Sequence, residues 1–204
     1  MNPHRTVFVA MAAGVFFAFV PAPSGAQSNP LPGEQGQTSL SISASQVQVL
    51  HRTIDIGVKY ARFTSALEAV LGRFANDVQQ DIVSRPHAAE QRIAAMTGEQ
   101  GLMIFATFDH GAALNMVDAP RNAKQYLIGN PLTAIQATRH DLRAALYAPL
   151  RVLVYENAGR HTVVEYDQPS SLFGQFGNSE VTAVGVSLDQ KLEAVIRRAA
   201  ELSK

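Results

Sequence analysis

YLIGNPLTAIQATRHDLRAALYAPLRVLVYENAGRHTVVEYDQPSSLFGQF, from Tyr126 to Phe176, alternates apolar runs with Gly129-Asn130-Pro131, Tyr147-Ala148-Pro149 and Asp167-Gln168-Pro169. Proline cannot donate to a sheet ladder, so each apolar run must end where a proline follows. Leu150 to Tyr155 shows an inside and an outside face. Val163 to Tyr166 returns along it after Asn157-Ala158-Gly159-Arg160, a turn whose Asn-to-Gly chemistry predicts an antiparallel hairpin. The first run, Gln125 to Ile128, is short and ends at Gly129-Asn130. Leu132 to Ala145, between the first two runs, reads as a short helix.

Working outward, Leu102 to Phe108 is apolar throughout, as in a central strand buried on both faces. Leu50, Ile54, Ile56 and Val58 alternate with His51, Thr53 and Asp55, the period of a half-buried strand. Phe63, Leu67, Val70, Leu71, Phe74 and Val78 recur at helical spacing; Ser65 and Glu68 match a capping box, the alternative being a helix that already starts near Ala61. Pro86 suits the first turn of a second helix through Ala89, Ile93 and Met96, with Gly98 as its stop. Val181, Val184, Leu188, Leu192 and Val195 describe a long closing amphipathic helix after the polar Asn178-Ser179-Glu180 start. Strands segregated from helices in this way predict an α+β domain, an antiparallel sheet with helices packed on one face.

The ends and the composition bound the function. His4 and Arg5, the apolar run Val7 to Val20 and small residues at Ser24 and Ala26 have the three-part design of a signal peptide. Cleavage after Ala26 predicts a periplasmic or secreted protein of 178 residues, not membrane-bound once cut. Residues 27–44, with Pro30, Pro32, Gly33 and Gly36, read as a flexible tether, and 45–204 as a single domain. The signal takes one cation, Arg5, which leaves 16 Lys+Arg against 17 Asp+Glu. That balance offers no footprint for nucleic acid or anionic lipid. The absence of cysteine excludes disulfides, thiolate catalysis and zinc ribbons.

LMIFATFDH (Leu102 to His110), then YLIGNP, LYAPLRVLVYE and VEYDQPSSLF, resemble in order the bacterial family known as domain of unknown function 302. RHD (Arg139 to Asp141) ahead of YAPLR, with DQPS and FG near the end, resembles one branch of it. The resemblance runs from Val47 to the C-terminus. It implies a strand–helix–four-strand–helix order and a curved sheet of the TATA-binding-like architecture. The departure is Phe74 to Gly98, where two helices stand in place of the single helix of the shortest members. The resemblance implies no activity.

Residue chemistry offers candidates, each with a plain structural counterpart. Asp109 and His110 have the types of a catalytic pair, yet consecutive strand residues face opposite ways, and a strand-end cap explains them as well. His140, beside Arg139 and Asp141, is a candidate base, while Asp141 equally suits a helix cap. A small-molecule hydrolase using His110 with Asn130 and His140 is therefore one alternative. Asn130 either presents an amide to a cleft or caps the turn. Arg151 and Tyr155, four apart on one strand, share a face. With Tyr166, Tyr147 and Asn130 they form the ligand-binding set expected for a small anionic or planar ligand. A structural module is the other alternative, with this face covered in a homodimer. The five mature histidines (His51, His87, His110, His140, His161) are scattered, and no cofactor or metal is predicted. No Gly-x-Ser-x-Gly elbow or phosphate loop occurs. The leading expectation is an exported module that binds a small ligand or a partner.

Overall fold

A computed structural model describes residues 40–204, so the predicted signal peptide and the tether up to residue 39 lie outside the described residues. Ser45–Lys204 forms one compact unit. Its elements are β1 (His51–Ile56), α1 (Tyr60–Val70), β2 (Gly72–Arg73), α2 (Val78–Ser84), α3 (Pro86–Ala95), β3 (Met103–Asp109), α4 (His110–Ala113), β4 (Ala123–Gly129), α5 (Pro131–Thr138), β5 (Leu150–Glu156), β6 (Thr162–Asp167), α6 (Pro169–Phe173) and α7 (Ser179–Leu202). The sheet order is β1-β6-β5-β4-β3-β2. All neighbours are antiparallel except β2, which lies parallel to β3. The α+β class therefore holds, with one edge strand more than the sequence shows.

Four local readings change. Leu50 is 60% exposed and precedes β1, because its carbonyl accepts from the Gln168 amide at the strand's end rather than joining the core. The first helix stops at Val70 instead of continuing to Val78. Leu71 is extended, Gly72 and Arg73 pair with Met103 and Ile104, and Phe74 stacks on Phe105 at 4.6 Å. Ser65 lies inside α1, whose N-cap is Lys59, so the capping box does not form and Glu68 turns to the sheet. Leu132 to Ala145 is α5 followed by a separate 3-10 turn, Leu142–Tyr147, because Asp141 interrupts the helix and caps the turn.

The apolar strand Leu102 to Phe108 is next to the edge rather than central. Met103 and Ile104 are covered by β2, and beyond a bulge at Ile104/Ala106 the strand opens until Phe108 is 49% exposed. Its apolar start is explained by a second, smaller core of Val78, Ile93 and Met103 with Phe74 and Met96. The Phe74–Gly98 segment thus covers a sheet edge, where unpaired strand groups are otherwise a liability. Asp81, 5% exposed, ties it together by pairing with both Arg85 and Arg92. Gly98 also has a different duty from stopping a helix. A Cβ on it would stand 2.3 Å from the Gly72 nitrogen and from the Val70 carbonyl, and one on Gly72 would stand 1.9 Å from the Met96 carbonyl. Both must lack a side chain for the segment to close onto β2.

The main core lies on one face of the sheet. Phe63, Leu67 and Val70 of α1 and Val181, Val184, Leu188, Leu192 and Val195 of α7 meet Ile104, Tyr126, Val152, Val154 and Val164. Asn178 caps α7 by accepting from the Val181 amide at 3.0 Å. The opposite sheet face carries Arg151, Leu153 and Tyr155 of β5 and Leu127 and Gln125 of β4, all exposed or half-buried.

Candidate functional site

An apolar pocket lies where β4 ends and β5 begins. Gly129-Asn130-Pro131 turns the chain from β4 into α5, with Pro131 at the first helical position. Asn130 is fully committed to that turn: its Oδ1 accepts from the Leu132 amide at 2.8 Å and its Nδ2 donates to the Gly101 carbonyl at 2.7 Å. Beneath the turn is a cavity of about 150 Å³, walled by Phe105, Ile128, Pro149, Phe173, Val184 and Leu188, with Thr133 and Ala134 of α5 above. Its walls are almost wholly hydrocarbon.

Across the Ala148-Pro149-Leu150 segment, which lines both spaces, is a groove of about 420 Å³. Tyr147, Arg151, Leu127, Leu146 and Asp167 line it. Tyr147 packs against Phe176 at 6.0 Å, and the Arg143 guanidinium lies 5.1 Å from the same ring. Among the described residues Arg151 forms no salt bridge. Asn130, Tyr147 and Arg151 are therefore gathered around one segment, two of them in the groove and one in the cavity.

Tyr155 and Tyr166 do not complete this set. Tyr155 shares the open sheet face with Arg151, and its hydroxyl donates to Glu165 Oε1 at 2.9 Å, a bond that holds the phenol's pKa up. Tyr166 pairs with Val152 and so faces the core, 5% exposed, with burial raising its pKa. The expectation that Tyr166 joins Arg151 and Tyr155 is corrected by register alone.

The hydrolase constellation does not assemble. In the antiparallel β3–β4 pair, Asp109 lies opposite Lys124 and Met103 opposite Gly129, so His110 and Asn130 follow opposite ends of the sheet. Six strand residues separate them, about 20 Å at 3.3 Å per residue. His140 follows the far end of α5 from Asn130. Neither histidine lines the cavity or the groove. Asp109 instead caps α4, accepting from the Ala112 amide at 2.8 Å. Asp141 accepts from the Arg143 amide at 2.9 Å and pairs with its guanidinium at 2.7 Å, which depresses the carboxylate's pKa. Arg139 Nε donates to His140 Nε2 at 3.1 Å.

One polar cluster escapes sequence reasoning. Tyr126, fully buried, donates its hydroxyl to Glu68 Oε1 at 2.9 Å, and Lys124 reaches the same oxygen at 3.1 Å while Arg73 takes Oε2 at 3.3 Å. Burial pushes the Glu68 pKa up, but these donors outweigh it and the net shift is down. Burial also raises Tyr126 and lifts Tyr60 to about 12. The available signal was Tyr126 at an inward strand position, since a buried phenol needs a partner. Both carboxylate oxygens are occupied, so the cluster pins α1 to the sheet rather than offering a free acid or base.

Comparison with known proteins agrees with this architecture. The model of the family described as domain of unknown function DUF302 matches residues 79–199. A crystal structure of an uncharacterized conserved DUF302 protein from Bacillus stearothermophilus is similar in fold, with a TM-score of 0.52 and 16% identity. The similarity covers 73% of this chain and 97% of that one. No curated protein matches the sequence.

Proposed function

The chain belongs to the DUF302 family, whose description assigns no activity, and from that premise we propose an exported domain that binds a small, largely apolar molecule beneath α5. The cavity of about 150 Å³ carries this reading. A hydrocarbon-lined space of roughly 150 Å³ has room for a benzene-sized group. A planar ring or a short branched chain fits that volume. Asn130 spends both ends of its amide on the turn, so it shapes the mouth rather than reading the ligand. Any anionic part of the ligand falls to Arg151 in the adjoining groove. The scatter of His110, Asn130 and His140 favours binding over catalysis.

A thermal-shift series with indole, benzyl alcohol and short aliphatic acids tests the reading. At 100 times its Kd a ligand adds about 2.7 kcal/mol. For a domain of this size that raises Tm by roughly 5–10 °C. Ala134→Leu, which fills the cavity from α5, should abolish the shift. An equal shift in that variant, or none with any probe, would overturn the proposal. Export rests on the pattern of residues 1–26, and N-terminal sequencing of protein recovered outside the cytoplasm should begin at Gln27.

A further inference from the structure

We propose, resting on the binding role given above, that Thr133 sets the specificity of the pocket beneath α5. The pocket then takes a small ring that carries one neutral hydrogen-bonding group, such as a hydroxyl, rather than a bare hydrocarbon. Among the described residues five buried side chains are polar or charged: Thr64, Asp81, Thr133, Thr162 and Ser203. Four of them are spent inside the protein. Thr64, Thr162 and Ser203 donate to the carbonyls of Ala61, Val58 and Ala199, and Asp81 pairs with Arg85 and Arg92. Thr133, 9% exposed, makes no side-chain hydrogen bond among the described residues, and it lines the pocket.

Local structure explains why this hydroxyl is left over. A threonine in a helix commonly donates to a carbonyl three or four residues back, as Thr182 does to Asn178 at 2.8 Å. For Thr133 the carbonyl three back belongs to Asn130, which already accepts the Thr133 and Ala134 amides at 3.1 and 2.9 Å. The carbonyl four back belongs to Gly129, which is still in β4, before the extended Asn130 at which α5 begins. Among the described residues no buried side-chain nitrogen or oxygen is both unbonded and wholly occluded, so the Thr133 hydroxyl keeps open surface, and the space it borders is the pocket. Asn130, the other polar side chain of the lining, is spent at both ends.

A hydroxyl offers one donor and two acceptor lone pairs. A hydrocarbon ligand would cover it and leave it unpaired, whereas a ligand hydroxyl or carbonyl would satisfy it. A site with such a group discriminates against the analogue that cannot pair with it. No ionisable side chain lines the pocket, and the first amides of α5 are taken by Asn130. A charged group drawn inside would lose its water without a partner, so the group held there is neutral.

Phenol and toluene are close in size and differ by a hydroxyl against a methyl, and NMR titration with each tests the assignment. Thr133→Val should shift the ratio of phenol to toluene affinity at least about tenfold toward toluene. Thr133→Ser, which restores a hydroxyl, should keep the ratio of the unaltered protein. Without ligand, Thr133→Val should leave Tm unchanged or raised, because its hydroxyl holds nothing, while Thr162→Val should lower it. An unchanged ratio in Thr133→Val, a ratio that Thr133→Ser loses equally, or a Tm that falls in Thr133→Val as far as in Thr162→Val would overturn the role of Thr133 and leave the pocket as a binding site. Failure of both probes to bind the unaltered protein would overturn the binding role itself, and this one with it.

Discussion

Along β5, Val152 and Val154 are fully buried in the core shared with α1 and α7, whereas their neighbours Arg151, Leu153 and Tyr155 lie exposed or half-buried on the opposite face. The two faces share one backbone and differ only in which side chains the pleat turns toward the helices. The consequence reaches the site. Arg151 and Tyr155 are available to a ligand or a partner, while Tyr166 on the adjacent strand belongs to the core. Aromatic residues of the same type therefore have opposite duties, decided by register.

The contrast can be broken by mutation, beginning with its strongest element. Phe63→Ala on the buried face should cost about 3–5 kcal/mol, while Leu153→Ala on the open face should cost less than about 1 kcal/mol. Urea melts of both variants check this. A Leu153→Ala loss close to that of Phe63→Ala would mean that a second copy covers the open face. The next largest effect concerns the one polar cluster set into the buried face. Tyr126→Phe should cost about 1.5–3 kcal/mol, the loss of a hydrogen bond to a charged acceptor. No change in stability would remove the anchoring role assigned to Glu68 and Tyr126.

The smallest effect is on the open face. His51 donates to or accepts from Asp167 at 2.9 Å and lies 3.5 Å from Glu165, and the Asp167 hydrogen bond raises its pKa above 6.5. A raised folded-state pKa means that the charged imidazole stabilises the fold below pH 6.5 and that this contribution disappears as pH rises through the folded value. The Tm difference between the protein and His51→Gln should therefore shrink from pH 5.5 to pH 8. A difference that grows over that range would contradict the assignment. The imidazole is half exposed, so the shift should be small and weakened by salt.

Much of the architecture was legible in the sequence. Periodicity marked β1, β5, β6 and α7, and the Asn157–Arg160 turn marked the hairpin. The helical stripe from Phe63 misled beyond Val70 because Leu71, Phe74 and Val78 are apolar for another reason, the small core at the β2–β3 edge. Hydrophobicity reports burial and not which element does the burying. The DQPS motif, which carries part of the family resemblance, is a joint. Asp189 of α7 accepts from the Ser170 amide at 2.9 Å and from Gln168 Nε2 at 3.0 Å, seating α6 on the long helix.

Read alone, the sequence determined the α+β class, the hairpin and the polarity alternation of the strands, because these follow from local spacing and turn chemistry. Tertiary structure decided which candidates meet. It set Tyr147 and Arg151 beside the Pro149 segment and parted His110 from Asn130 by a strand's length. Convergence of residues far apart in the chain depends on strand order and register, which no local pattern encodes.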